Sequence, residues 1–220
     1  MLSREEREIR KKQIGASEIH KLLNFDTEAC QDLFDYKLGL IDDYEIENDA
    51  ITAGNILEEQ CLDFYATSNN TEIVKNERLP HPLIKGLIAS LDAREKQDNI
   101  PIENKVINEN TWQKWQAKRS FNAEYLGMKL NIPQSYYCQL QLQIDICNTE
   151  AGKLNVNTLT DEEQEDPINV VITELHNKQI TIYRDNELIA EMEKRAKYML
   201  HCMEFKHRPS ENEYLEKYTF

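Results

Sequence analysis

Three residues stand out by type and spacing: Asp92, then, after ten intervening residues, Glu103 and Lys105 on either side of Asn104. On an extended strand, residues two apart share a face, so Glu103 and Lys105 project together. A hairpin partner can bring Asp92 beside them. Two carboxylates and an ammonium meeting at one end of a sheet suit divalent-metal phosphodiester hydrolysis. Asp92 and Glu103 offer hard oxygen ligands to a partly hydrated Mg²⁺, and the Asn104 carbonyl a further one. A cation there acidifies water and stabilises charge on the attacked phosphate, while the lysine positions that water, together supplying several kcal/mol of the barrier. The triplet alone carries little information, because ordinary residue frequencies produce one by chance in a chain of this length. Glu204-Phe205-Lys206 is another, but it falls in an expected helix, where positions two apart do not share a face. The competing reading of Glu103 and Lys105 is a salt-bridged strand pair on a solvated sheet face.

The elements that must position these groups are legible from periodicity. Residues 83–92 (LIKGLIASLD) are apolar and strand-like, 93–99 have turn chemistry, and 100–107 (IPIENKVI) read as a second strand, together a hairpin. Upstream, Ser3-Arg4-Glu5-Glu6 fits a capping box opening a helix to about Lys12. Gly15-Ala16 breaks it, and Ser17 is expected to cap a short helix over 17–24. Thr27 can cap a third, with Leu33, Phe34 and Leu38 on one side. Residues 47–67 set Ala50, Ala53, Gly54, Leu57, Cys61 and Phe64 at helical spacing. Downstream, 111–127 reads as a locally basic helix. Pro133 suits the start of another, striped by Tyr137, Leu140, Ile144 and Cys147. A short strand is expected over 153–156, a solvated acidic loop over 161–166, and strands over 167–173 and 178–183 joined by a turn at His176-Asn177. Asp185 or Asn186 caps a closing helix carrying Leu188, Met192, Ala196, Met199 and Met203. This order predicts a mixed α/β architecture with one central sheet, in one domain over 1–220. Its parts are N-terminal helices (1–40), a core (47–147), a loop with late strands (148–184) and a C-terminal helix (185–206).

Composition bounds what such a site could hold. Lys plus Arg number 26 against 40 Asp plus Glu, a net charge of −14, which excludes gripping polyphosphate through overall charge. Any nucleic-acid contact must use a local patch, and Lys114, Lys118, Arg119 and Lys129 against a lone Glu124 form the best one. Trp112 and Trp115 could stack on bases, although core packing is the stronger expectation. No run of 18 apolar residues exists to cross a membrane, and the N-terminal MLSREEREIRKK lacks the apolar stretch of a signal peptide. Five widely spaced cysteines without a CxxC pair argue against a disulfide framework, structural zinc and an iron–sulfur cluster. They read as buried thiols of a reducing cytoplasm. The five histidines show no ligand spacing and receive no role.

Four segments together resemble one family, the lambda-exonuclease (YqaJ-like viral recombinase) branch of the PD-(D/E)XK nucleases. Ile14-Gly15-Ala16-Ser17-Glu18-Ile19 resembles its N-terminal element, Gly54-Asn55-Ile56-Leu57-Glu58 its G-x3-E helix motif, Asp92 with Glu103-x-Lys105 its core, and Tyr136-Tyr137-Cys138-Gln139-Leu140-Gln141 its Y-x-x-Q-x-Q helix. The order and spacing match over roughly residues 7–205. The resemblance implies a restriction-endonuclease-like core: a central mixed β-sheet flanked by helices. It implies that Asp92 and Glu103 bind Mg²⁺ (or Mn²⁺), with Glu58 at or near the metal, Lys105 orienting or activating water, and Gln139 against that water or the scissile phosphate. Arg10 and Ser17 match the positions of a pocket for the 5′-phosphate of a DNA end, a role that a helix N-terminus also favours. Lys114, Lys118 and Arg119 would then meet the DNA backbone. The implied activity is ATP-independent 5′→3′ degradation of double-stranded DNA from free ends, leaving 3′ single strands for an annealing partner. A trimeric ring and a location in the bacterial cytoplasm, phage-encoded or not, go with it. Where the family has Pro-Asp-Gly this chain has Leu91-Asp92-Ala93, and no proline follows Lys105. The rivals are an endonuclease or repair nuclease of the same superfamily, and a non-enzymatic acidic DNA mimic built on the stretches 42–49 and 161–166, which has no use for Lys105.

Overall fold

The computed structural model describes residues 4–42, 49–117 and 122–218. Helix α1 (Arg4–Lys11) leads into a two-residue strand β1 (Ile14–Gly15), a 3₁₀ helix (Ala16–Leu23) and α2 (Glu28–Leu38). Thr27 caps α2 by accepting the Cys30 N–H at 3.3 Å, as expected. The next helix, α3, spans Asp49–Asn69 and is followed by β2 (Ile73–Pro80), β3 (Leu87–Glu95) and β4 (Pro101–Asn108). Then come α4 (Glu109–Ala117), the β5–β6 hairpin (Ala123–Tyr125, Met128–Leu130), α5 (Gln134–Cys147) and β7 (Ala151–Leu159). A short α6 (Asp161–Glu165), β8 (Asn177–Tyr183), α7 (Asn186–Phe205) and α8 (Glu211–Tyr218) complete the described chain.

One six-stranded mixed sheet runs β1-β3-β4-β7-β8, with β2 also paired to β3. The β1–β3 and β4–β7 ladders are parallel and the others antiparallel. Mixed sheets of this kind need helical crossovers, and α4 with α5 supplies the one between β4 and β7. Glu103 and Lys105 share the β4 face that also carries Ile107, whose core holds Leu140 and Ile144 of α5. The opposite face packs Val106 against Ala53, Leu57 and Cys61 of α3. Close approach of α5 to the sheet depends on Gly152: a Cβ there would lie 2.8 Å from a Leu140 methyl and 3.0 Å from Ile144.

Several expectations are corrected. Ser3 and residues 43–48 lie outside the described residues. Ser17 does not cap its helix: the helix is 3₁₀ and opens one residue earlier, with Gly15 as the cap residue. Residues 123–130 are a hairpin, not helix, because Leu126 and Gly127 both turn at positive φ (48° and 78°), which an α-helix cannot contain. The acidic run forms α6, since Thr160 and Glu163 cap one another reciprocally. Residues 167–173 are not a strand; β8 pairs instead with β7, which runs well beyond 153–156. Asp185 caps α7 as expected, but α7 is not the last helix. Strand β2, whose half-exposed residues lack clean alternation, was not anticipated. No described helix is long and apolar enough to cross a membrane, and all five cysteines are free and buried.

Candidate active site

The β3–β4 ladder consists of only two register pairs, Ala93↔Ile102 and Arg94↔Pro101. Past it, the Asp92 side chain reaches across and accepts the Asn104 backbone N–H at 2.7 Å. The mouth opened between the strands is where the chemistry-bearing residues gather. Asp92, Glu103 and Lys105 line one cavity of about 370 Å³ together with Gln139, Arg10, Ser17 and other groups. Glu103 is fully buried. One of its oxygens is paired with Lys105, and the other accepts from the side-chain amide of Gln143 at 2.6 Å. Lys105 also lies over the Tyr136 ring, 5.2 Å from its centroid, a favourable cation–π placement.

The electrostatics follow from this crowding. Burial pushes the Asp92 carboxyl up to about 7, with Glu103 adding to the rise; Lys105 and the Asn104 amide pull the other way, and Glu58 adds a smaller upward push. For Lys105, burial alone would lower the pKa, but Glu103 and Asp92 outweigh it and hold the ammonium above its ordinary value. With both acids ionised beside it, Lys105 is held in its cationic form.

Helix α3 brings the third carboxylate. Glu58 and Gly54, one turn apart, line an adjoining cavity with Asp92, Asn104, Lys105 and Tyr136. The Asn104 side chain turns to the far face of the sheet, where its oxygen accepts from Asn155 at 2.9 Å and Asn157 at 3.0 Å. Of Asn104, only the backbone carbonyl remains as a ligand candidate.

The N-terminal segment forms the opposite wall. Lys37, buried on α2, donates to both Glu18 oxygens (2.8 and 2.7 Å) and to the Arg10 carbonyl at 3.1 Å. Glu18 in turn accepts the Gly15 N–H at 2.8 Å. One ion pair thus ties the end of α1, strand β1 and the start of the 3₁₀ helix, and fixes where Arg10 and Ser17 sit. Far from this wall, the Arg195 guanidinium anchors the other end of the 3₁₀ helix by donating to the Leu22 carbonyl at 3.1 Å.

Asp92, Glu103, Lys105, Gln139, Arg10 and Ser17 therefore meet in one cavity, with Glu58 beside it. Trp112 and Trp115 are core residues, packed edge to face with Tyr125 and Tyr136. Lys114 is exposed on α4, while Lys118 and Arg119 lie outside the described residues. Sequence reasoning passed over Arg78, Lys37 and Ser90, which line the cavity. Ser90 had a usable signal, since it precedes Asp92 by two residues on a strand.

A hard divalent cation fits this donor set. Asp92 and Glu103 lie side by side with Glu58 in the adjoining cavity, and Asp92 is raised first by burial and then by the neighbouring carboxylates, a cost that a bound cation would relieve. A second acidic group is separate from the cavity: ligand atoms of His81, Asp145 and Glu193 lie within 4.8 Å of one another. His81 Nδ1 accepts the Leu83 and Ile84 N–H groups, both at 3.1 Å. The proton therefore sits on Nε2, facing Asp145 (3.0 Å) and Glu193 (3.1 Å). This proton occupies the lone pair that a metal would need, so His81 serves as a tie between the β2–β3 turn, α5 and α7.

Residues 7–151 match the model of the YqaJ-like viral recombinase domain. The fold is similar to that of an alkaline exonuclease from Laribacter hongkongensis, with TM-score 0.66 and 21% identity over 96% of this chain and 94% of that one. The same enzyme in complex with dAMP gives TM-score 0.66 over 99% and 98% of the two chains, again at 21% identity. A phage-related exonuclease from Haemophilus somnus 129PT gives TM-score 0.63 and 14% identity over 88% and 94%. No curated protein matches the chain by sequence.

Proposed function

Because this chain belongs to the YqaJ-like viral recombinase domain family, we propose that its cavity is the active site of a metal-dependent deoxyribonuclease, a 5′→3′ exonuclease on double-stranded DNA ends. The observation that carries the reading is the single cavity lined at once by Asp92, Glu103, Lys105 and Gln139 and by Arg10 and Ser17. The first set suits cleavage of a phosphodiester. The second suits capture of a terminal phosphate.

A bound Mg²⁺ or Mn²⁺ supplies an acidified water and charge neutralisation at the attacked phosphate. Asp92, Glu103 and Glu58 are the side chains that would hold it, with the Asn104 carbonyl as a further ligand. Lys105, kept cationic by its neighbours, donates a hydrogen bond that orients the attacking water toward phosphorus. Gln139, on the α5 face turned to the cavity, offers its amide to that water or to a non-bridging phosphate oxygen. Arg10 and Ser17 bind the 5′-phosphate and set the distance from the end to the scissile bond, converting an endonuclease-like site into an end-dependent one. Lys114, Lys118 and Arg119 follow the duplex backbone. The 3′ strands so produced serve an annealing partner in a recombination reaction inside a bacterial cell. A trimeric ring would let three copies of the chain enclose the duplex despite their acidic surface.

The test uses linear duplexes labelled separately at each 5′ and 3′ end, digested with Mg²⁺ and with EDTA. Mononucleotides should be released progressively from 5′-phosphorylated ends only when the metal is present. Cleavage in EDTA, or cutting of covalently closed circles at a comparable rate, would overturn the assignment.

A further inference from the structure

Helix α5 places two fully buried glutamines two residues apart, and their surroundings differ in kind. Gln141 is satisfied at both ends: its amide donates to the Tyr183 carbonyl at 2.7 Å and its oxygen accepts the Asp185 N–H at 2.9 Å. It ties α5 to the entry of α7, as a structural residue should. Gln143 lies one turn beyond Gln139, on the face turned to the cavity. Its amide donates to Glu103 Oε2 at 2.6 Å and to the Ser90 carbonyl at 3.3 Å. Its own oxygen has no hydrogen-bond partner among the described residues. The amide cannot be turned round to relieve this, because both neighbours are acceptors and the flip would set oxygen against them.

A fully buried, unpaired carbonyl oxygen carries its whole desolvation penalty uncompensated. A side chain present only for packing would be apolar here and avoid that cost. What the orphaned oxygen accompanies is the bond to Glu103. That carboxylate is gripped from both sides, by Lys105 at Oε1 and by Gln143 at Oε2, so its plane cannot rotate. We propose that Gln143 is a positioning residue which fixes the Glu103 carboxylate in the orientation that binds a divalent cation. The inference rests on the reading of the cavity as a metal-dependent site and adds a residue that acts through Glu103 without touching substrate.

The experiment is calorimetric titration of the full chain with Mn²⁺ in the absence of DNA, paired with thermal unfolding. Gln143→Met keeps the volume and removes the donor; Gln143→Asn keeps an amide but shortens its reach. Gln141→Met is the control for loss of a buried structural glutamine. Both Gln143 variants should bind Mn²⁺ about tenfold or more weakly, the loss typical when a ligand's hydrogen-bond partner is removed. All three variants lose buried hydrogen bonds and should unfold earlier than the wild type, but only the Gln143 variants should lose Mn²⁺ affinity, and Gln141→Met should bind Mn²⁺ normally. If Gln143→Met fails to fold, Gln143→Asn decides. Unchanged affinity in the folded Gln143 variants, against measurable binding by the wild type, would overturn the positioning role alone. Absence of Mn²⁺ binding by the wild type would remove the metal site and this role together.

Discussion

Asp92 is the residue on which the electrostatics of the cavity converge. Its carboxyl is raised to about 7 by burial and by Glu103, from an ordinary value of 3.8. A carboxyl raised in the folded state contributes its stabilisation fully below its unfolded pKa and loses it as pH rises through the folded one. The metal-free protein should therefore unfold at a lower temperature at pH 8 than at pH 5, and Asp92→Asn should flatten that difference. Adding Mg²⁺ or Mn²⁺ should raise the unfolding temperature more at pH 8 than at pH 5, because binding requires the ionised carboxylate. Thermal unfolding across pH 5–8, with and without metal, checks both; equal dependence in the wild type and Asp92→Asn would contradict the burial argument. Lys105 is the complementary case. Its charge is fixed by the acids around it, and so it donates where a neutral amine would accept.

At the scale of elements, the cavity depends on where the N-terminal segment is tied down. The Lys37–Glu18 pair does this from within, with the lysine side chain at 1% exposure and the glutamate at 15%. Lys37→Met strands the Glu18 carboxylate and should cost about 3 kcal/mol, the low end for breaking a buried pair because Glu18 keeps some solvent contact. Urea unfolding measures it, and a negligible loss would mean the wall is held by packing alone. Arg10→Ala should slow digestion of 5′-phosphorylated ends more than of 5′-hydroxyl ends; equal slowing of both would remove Arg10 from the phosphate pocket. Much of this arrangement was legible in the sequence. The helical spacing over 47–67, the Thr27 and Asp185 caps and the Glu103/Lys105 alternation each report local chemistry that tertiary packing left intact. What escaped was set by contacts distant along the chain. The orphaned oxygen of Gln143 becomes visible only when α5 lies against β4, and Lys37 is paired with Glu18 only once α2 folds back. The β5–β6 hairpin was read as helix because Leu126 carries no turn signal of its own.

For the molecule as a whole, a net charge of −14 coexists with a cavity wall that carries Arg10, Lys37, Arg78 and Lys105 against Glu18, Asp92 and Glu103. The acidity is distributed over the rest of the surface, where charges beyond ~10 Å are largely screened, and the cations are concentrated where a phosphate would sit. The DNA-mimic reading leaves this gathering of cations and carboxylates without a purpose. The whole account turns on whether Asp92, Glu103 and Lys105 act together on a phosphodiester. The most direct measurement is digestion of an end-labelled duplex in Mg²⁺ by the wild type and by Lys105→Ala, with folding verified by circular dichroism and end binding by gel shift. The account predicts that Lys105→Ala folds and binds ends but releases no nucleotides. Cleavage by that variant at the wild-type rate would contradict it.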